Sequence, residues 1–167
     1  MKLWPFFANS CRAPSMVTIS LPNSQRARFR THLRRGGVRE IGGILMGEQV
    51  GPDHFRIVDF SVDDTIGTAA HFVRSTEHHA AELQKFFQRT GSDFRRFNYL
   101  GEWHSHPSYA VRPSYEDVAS MQSLVDGERD IDFSVLLIVR LSCFCWFEAG
   151  TYMFVRHTRH YPIVLTR

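Results

Sequence analysis

Apolar and polar positions alternate along most of this chain, at two periods. Met16 to Leu21 alternates as a short strand does, and Pro22-Asn23 then signals a helix start. Across Gln25 to Arg35, Phe29 and Leu33 share one helical face while Arg26, Arg30 and Arg34 share another; Gly36-Gly37 ends the run. Glu40 to Glu48 reads as a strand whose glycines permit close backbone approach, and Gly51-Pro52-Asp53 as a turn. Phe55 to Val62 alternates as a strand, and Asp63 to His71 has no clear period and reads as a loop. Thr76 caps a predicted helix running to about Thr90, with Ala80, Leu83 and Phe87 on its inner face, and Gly91-Ser92-Asp93 closes it. Asn98 to His106 reads as a buried strand and Ser114 to about Val125 as a helix. Asp132 to Arg140, Ser142 to Glu148 and Tyr152 to Val155 read as three further strands. This order predicts a mixed α/β (α+β) fold with helices packed against a central sheet.

Composition narrows the picture modestly. A length of 167 residues suits one compact domain, expected over residues 16–167 with an N-terminal extension at 1–15. Hydrophobic residues at 43%, with fourteen Phe and three Trp, supply a core and exclude wholesale disorder. A net charge of +3 is too small to point to nucleic acid. The alternative of nucleic-acid binding through Arg26, Arg28, Arg30, Arg34 and Arg35 ranks below a solvated helix face. Three cysteines, an odd number, argue against a disulfide framework and for a reducing cytoplasm. Cys143 and Cys145 lie in the apolar run Leu141 to Phe147 and read as small buried hydrophobes on one strand face. Met1 to Met16 lacks the apolar core of a signal peptide, and no run approaches a membrane span.

The chemistry concentrates in Trp103-His104-Ser105-His106-Pro107 and the ten residues after it. Side chains at i and i+2 of a strand face the same way, so His104 and His106 can aim at one point. Pro107 ends the strand, Ser114 restarts the chain as a helix, and Asp117 follows one turn in. Two imidazoles, one carboxylate and an open position compose a catalytic zinc site. Asp117 has a competing reading: Ser114 to Asp117 is a variant capping box, and one carboxylate is expected to serve one role or the other. A zinc hydrolase also needs a base. Glu40, at the head of the strand, is the candidate, with Glu48, Glu102 and Glu116 as rivals by composition.

His104-Ser105-His106-Pro107, six residues, Ser114, two residues, Asp117, with Glu40 upstream of a glycine-bearing strand, resembles the JAMM (MPN+, JAB-domain) metalloproteases of the short prokaryotic type. The resemblance spans about Met16 to Phe154. It implies a JAB/MPN-like, cytidine-deaminase-like sandwich around a mostly antiparallel sheet. It implies one Zn2+ held by His104, His106 and Asp117, Glu40 as general base and then acid, and Ser114 stabilising the developing oxyanion. The implied reaction is hydrolysis of the bond after the C-terminal tail of a ubiquitin-like protein or its conjugate. The implied partners are ubiquitin-activating-like or conjugating-like enzymes encoded nearby, in antiviral conjugation operons. Processing of a sulfur-carrier protein and a non-catalytic MPN scaffold are the alternatives. Val118 to Ile131 holds no His or Cys, so the second zinc site of larger relatives is not expected. The substrate tail is expected to pair with a sheet edge near the metal, and Asp63 to His71 reads either as a border of that groove or as an ordinary surface loop.

Overall fold

The computed structural model describes residues 17–63, 67–68, 71–72, 76–127, 131–143 and 145–167. In chain order the elements are β1 (Thr18–Ser20), α1 (Asn23–Gly36), β2 (Gly42–Gly51), β3 (His54–Phe60), β4 (Gly67–Thr68), β5 (His71–Phe72) and α2 (Thr76–Arg89). They continue with β6 (Phe97–Ser105), α3 (Tyr115–Gly127), β7 (Phe133–Ser142), β8 (Trp146–Val155), β9 (Tyr161–Pro162) and β10 (Val164–Thr166). Eight strands form one mixed sheet in the order β10-β1-β3-β2-β6-β7-β8-β9, and β4 and β5 form a separate small ladder. The β1–β10, β1–β3 and β6–β7 pairings are parallel and the other four are antiparallel. The expected mixed fold with helices flanking a central sheet is therefore the observed one.

Strand alternation sorts the core into layers. Ile41, Leu45, Trp103, Val135, Leu137 and Val139 point to one face, where Phe29 and Leu33 of α1 meet them. Phe29 stacks on Phe60 at 3.9 Å and meets the edge of Trp103 at 4.8 Å. The opposite face carries two helices. Phe86 and Phe87 of α2 pack on Ile44 and Met46, and Met121 and Val125 of α3 pack on Leu136 and Ile138. Both ends of the sheet are tied by one segment. Tyr161 and Pro162 pair with β8, and one residue later Val164 to Thr166 pairs with β1.

Several expectations change. Ser142 to Glu148 is not one strand: β7 runs to Ser142, the chain reverses, and β8 is continuous from Trp146 to Val155, taking in the expected strand at Tyr152 to Val155. Cys143 and Cys145 sit in that turn, exposed rather than buried. The Cys145 N–H donates to the Ser142 carbonyl at 3.2 Å, and Cys143 has φ +47°. The turn carries no Gly or Pro, so its apolar residues imitate a strand. The inner face of α2 is also rotated: Ala80 is exposed, while His79 is buried with Phe86 and Phe87. His79 Nδ1 lies 2.8 Å from the Ser61 hydroxyl, a polar tie to the sheet that apolar periodicity does not see. The expected loop Asp63 to His71 includes β4 and the first residue of β5, and the rest of it after Asp63 lies outside the described residues.

Gly101 shows what close packing at the centre demands. Its φ is +156°, and a Cβ there would run into the Val135 backbone of β7. Gly101→Ala is expected to cost about 1–3 kcal/mol of stability, the usual penalty for overpacking, as measured by urea unfolding. An unchanged midpoint would show that β6 and β7 separate easily.

Candidate metal centre

The register of β2 on β6 assembles the site. Gly42 pairs with His104 and Gly43 with Trp103, so Glu40, two residues back, lies opposite His106. All of Glu40, Gly42, His104 and His106 then share the α3 side of the sheet. Gly42 keeps the pair close: a Cβ there would sit 3.0 Å from the His104 Cβ and 2.5 Å from the Trp103 carbonyl oxygen. Ser105 points to the other face and clamps the Glu40 segment. Its N–H donates to the Ile41 carbonyl at 2.8 Å, and its hydroxyl accepts the Ile41 N–H at 3.0 Å. Sequence reasoning passed over Ser105; its one signal was a small hydroxyl residue between two histidines.

His104 and His106 are buried, with Nε2 atoms 3.0 Å apart. Asp117 brings Oδ1 to 3.4 Å from His104 Nε2 and Oδ2 to 3.7 Å from His106 Nε2. Among the described residues, these three form a group whose ligand atoms all lie within 4.8 Å of one another, a donor set able to hold a divalent metal. The orientation of His106 is fixed from behind. A carbonyl oxygen only accepts, so the contact of His106 Nδ1 with the Ala110 oxygen at 2.9 Å is an N–H donation, and Nε2 keeps its lone pair. Burial pushes the His106 pKa down and outweighs the pull of the Ala110 carbonyl upward; His104 adds to the lowering.

The two readings of Asp117 turn out to be compatible. Oδ2 accepts the Ser114 N–H at 2.7 Å and the Ser114 hydroxyl at 2.8 Å, and the Asp117 N–H donates back to the Ser114 Oγ at 3.1 Å. This is the reciprocal capping box. Oδ1 meanwhile faces His104 and the capping Oδ2 stands 3.7 Å from His106, so the carboxylate caps the helix and fronts both imidazoles at once. Burial opposes the charge on Asp117, but His104 and the Ser114 hydrogen bonds prevail and hold its pKa well below the usual carboxylate range.

Glu40 is buried at 7% exposure and lines a cleft of about 600 Å³ together with His104, His106, Ser114 and Asp117. Glu102 and Glu116 line the same cleft, as does Arg112. Glu48 does not. It lies towards the other end of β2, where Arg96 donates to it at 2.6 and 2.8 Å and Arg56 at 3.4 Å.

Residues 22–157 match the model of prokaryotic homologs of the JAB domain. The chain belongs to this family. Among curated proteins, a "CD-NTase/cGAS isopeptidase" from Escherichia coli (strain TW11681) is 32% identical over 104 residues, covering 55% of this chain and 64% of that one. This JAB-domain chain thus spans just under two thirds of that relative's length. The solution structure of protein DSY2949 from Desulfitobacterium hafniense has the same fold, at TM-score 0.66 and 19% identity, covering 88% of this chain and 90% of that chain. JAB membership and the His-His-Asp donor set together mark a metalloprotease-like site. No helix among the described residues is long and apolar enough to cross a membrane.

Ser114→Ala removes the side-chain half of the cap and is expected to cost about 1 kcal/mol near neutral pH. The folded pKa of Asp117 is depressed below its unfolded value of about 3.9. Its stabilisation is therefore present above that pH and lost as pH falls through the folded value. Urea unfolding across acid pH should show a shallower loss in Ser114→Ala than in the parent. Parallel profiles would mean that Ser114 does not hold the Asp117 charge.

Proposed function

We propose that this chain is a zinc-dependent peptidase that hydrolyses the peptide or isopeptide bond after the C-terminal tail of a ubiquitin-like protein. The observation that carries the reading is one cleft holding His104 Nε2, His106 Nε2, the Asp117 carboxylate and a separate buried acid, Glu40. Donor atoms on a tetrahedral zinc with bonds of 2.0–2.1 Å stand roughly 3.3 Å apart. The two imidazole nitrogens stand 3.0 Å apart and His104 Nε2 stands 3.4 Å from Asp117 Oδ1, on either side of that value. Three protein ligands leave one position open to the cleft, as catalytic zinc sites do.

A bound zinc supplies Lewis-acid polarisation of a carbonyl and acidifies water. His104, His106 and Asp117 would hold it, and the bond from His106 Nδ1–H to the Ala110 carbonyl leaves the Nε2 lone pair of His106 for the metal. The Glu40 carboxylate takes the proton of the attacking water and delivers it to the nitrogen of the leaving amine, acting first as base and then as acid. Glu40 lines the same cleft and is not one of the three clustered donors, which supports a role in proton transfer rather than ligation. Ser114 has a first task in holding Asp117. A rotation of its hydroxyl would let it donate to the oxyanion as the carbonyl is attacked.

The name of the E. coli relative supports an isopeptide rather than a simple peptide substrate, and the CD-NTase/cGAS class as one conjugation partner. With that substrate go operon-encoded activating or conjugating enzymes as partners, and a reducing cytoplasm, where the exposed thiols of Cys143 and Cys145 stay free. We take residues 16–167 to act as a single domain.

Two substitutions separate metal binding from proton transfer. Glu40→Gln is expected to keep one zinc per chain and the parental fold while losing about 100- to 10,000-fold in cleavage rate. His104→Ala is expected to lose zinc, as measured by metal analysis after gel filtration. The assay is cleavage of a ubiquitin-like protein fused to a reporter, with and without chelator. Cleavage by Glu40→Gln at the parental rate would overturn the role given to Glu40, and chelator-resistant cleavage would overturn the zinc mechanism.

A further inference from the structure

The carbonyl that orients His106 belongs to a loop, so something must hold the loop. Residues 107–113 leave the sheet at Pro107 and cross the α3 face toward α3. Three consecutive carbonyls of this loop are engaged. The Ala110 oxygen takes the His106 Nδ1–H. On either side of it, the Tyr109 oxygen accepts from Arg140 Nη1 at 2.9 Å, and the Val111 oxygen accepts from the Tyr152 hydroxyl at 3.2 Å. The two outer donors belong to the β7–β8 hairpin. Its register pairs Arg140 with Glu148, Ile138 with Gly150 and Leu136 with Tyr152, so these residues stand in two adjacent columns on one sheet face.

Each member of the columns has a definable part. Glu148 accepts from Arg140 through Nε at 2.8 Å and Nη2 at 2.6 Å, which leaves Nη1 aimed at the Tyr109 carbonyl. Gly150 leaves the gap in which the loop rests, since a Cβ there would run into the Val111 carbonyl. Tyr152 closes the far end. The same hairpin also carries the His106 backbone, whose N–H donates to the Val139 oxygen at 3.0 Å. One rigid unit thus holds both the main chain of His106 and the acceptor of its ring proton.

We propose that Arg140, Gly150 and Tyr152 are positioning residues for the metal site. They seat the loop so that the Ala110 carbonyl selects the His106 tautomer whose Nε2 faces His104 and Asp117. This inference rests on the zinc reading above and extends it to residues that touch neither metal nor substrate. Groups that orient a ligand in this way typically change metal affinity 10- to 100-fold when removed.

The test uses the full chain. Zinc affinity is measured by competition with a chromophoric chelator, beside the visible absorption of the Co2+-substituted protein and the thermal midpoint after metal removal. Tyr152→Phe and Arg140→Met are each expected to weaken zinc binding roughly 10-fold, and the double variant roughly 100-fold. The cobalt band should shift while the metal-removed midpoint stays near that of the parent. Arg140→Lys, which keeps a donor for the Tyr109 carbonyl, should recover most of the Arg140→Met loss. Gly150→Ala is expected to match the double variant; if it fails to fold, the donor variants decide. Parental zinc affinity in the double variant would overturn the proposal. So would a loss that tracks the thermal midpoint and leaves the cobalt band unmoved. A parent chain that takes up no zinc would instead overturn the reading on which the proposal rests.

Discussion

The antiparallel register of β2 on β6 is the constraint on which the site depends. Gly42 opposite His104 brings an acid from residue 40 beside histidines from residues 104 and 106, although some sixty residues separate them in sequence. A slip of one residue would turn Glu40 to the α1 side of the sheet. Two features oppose such a slip. Gly42 and Gly43 have no room for a Cβ, the first against His104 and the second against Ser61. Ser105 holds Ile41 through both its backbone and its hydroxyl. The chemistry faces the α3 side, while Ser105 holds the register from the α1 side without lining the cleft.

The α3 end shows a different economy. A single carboxylate caps a helix with one oxygen and faces an imidazole with the other. Helix caps and metal ligands are usually considered separately, because capping is a matter of local stability and ligation one of function. Here the hydrogen bonds that cap α3 also hold the carboxylate that faces His104. The cap therefore supplies the aim that a carboxylate on a free loop would lack.

Much of this was legible in the sequence, for physical reasons that differ by residue. His104 and His106 followed from strand alternation, and α1 from the spacing of Phe29 and Leu33, because each signal is local. Asp117 was found but assigned one role, since spacing cannot reveal which oxygen points where. Glu40 rested mostly on resemblance: its partner lies across a strand pairing that no local pattern encodes. Cys143 and Cys145 misled because a turn without Gly or Pro keeps the apolar look of a strand. The contributions of Ser105, Arg140 and Tyr152 were invisible, being hydrogen bonds between residues distant in sequence. The rotated face of α2 belongs to the same class, since His79 is drawn inward by a hydroxyl and not by apolarity.

The segment from Tyr161 to Thr166 has a kinetic meaning as well as a structural one. Thr18 pairs with Val164 across 146 positions of chain (164 − 18), so the sheet is completed only by closing a loop nearly as long as the protein. The equilibrium cost of that closure grows only as the logarithm of its length, but pairings so remote in sequence slow the search for the native state. The strands that carry the metal ligands and the acid pair over shorter spans and can form first. During synthesis the centre of the sheet can therefore be in register before its two ends are joined.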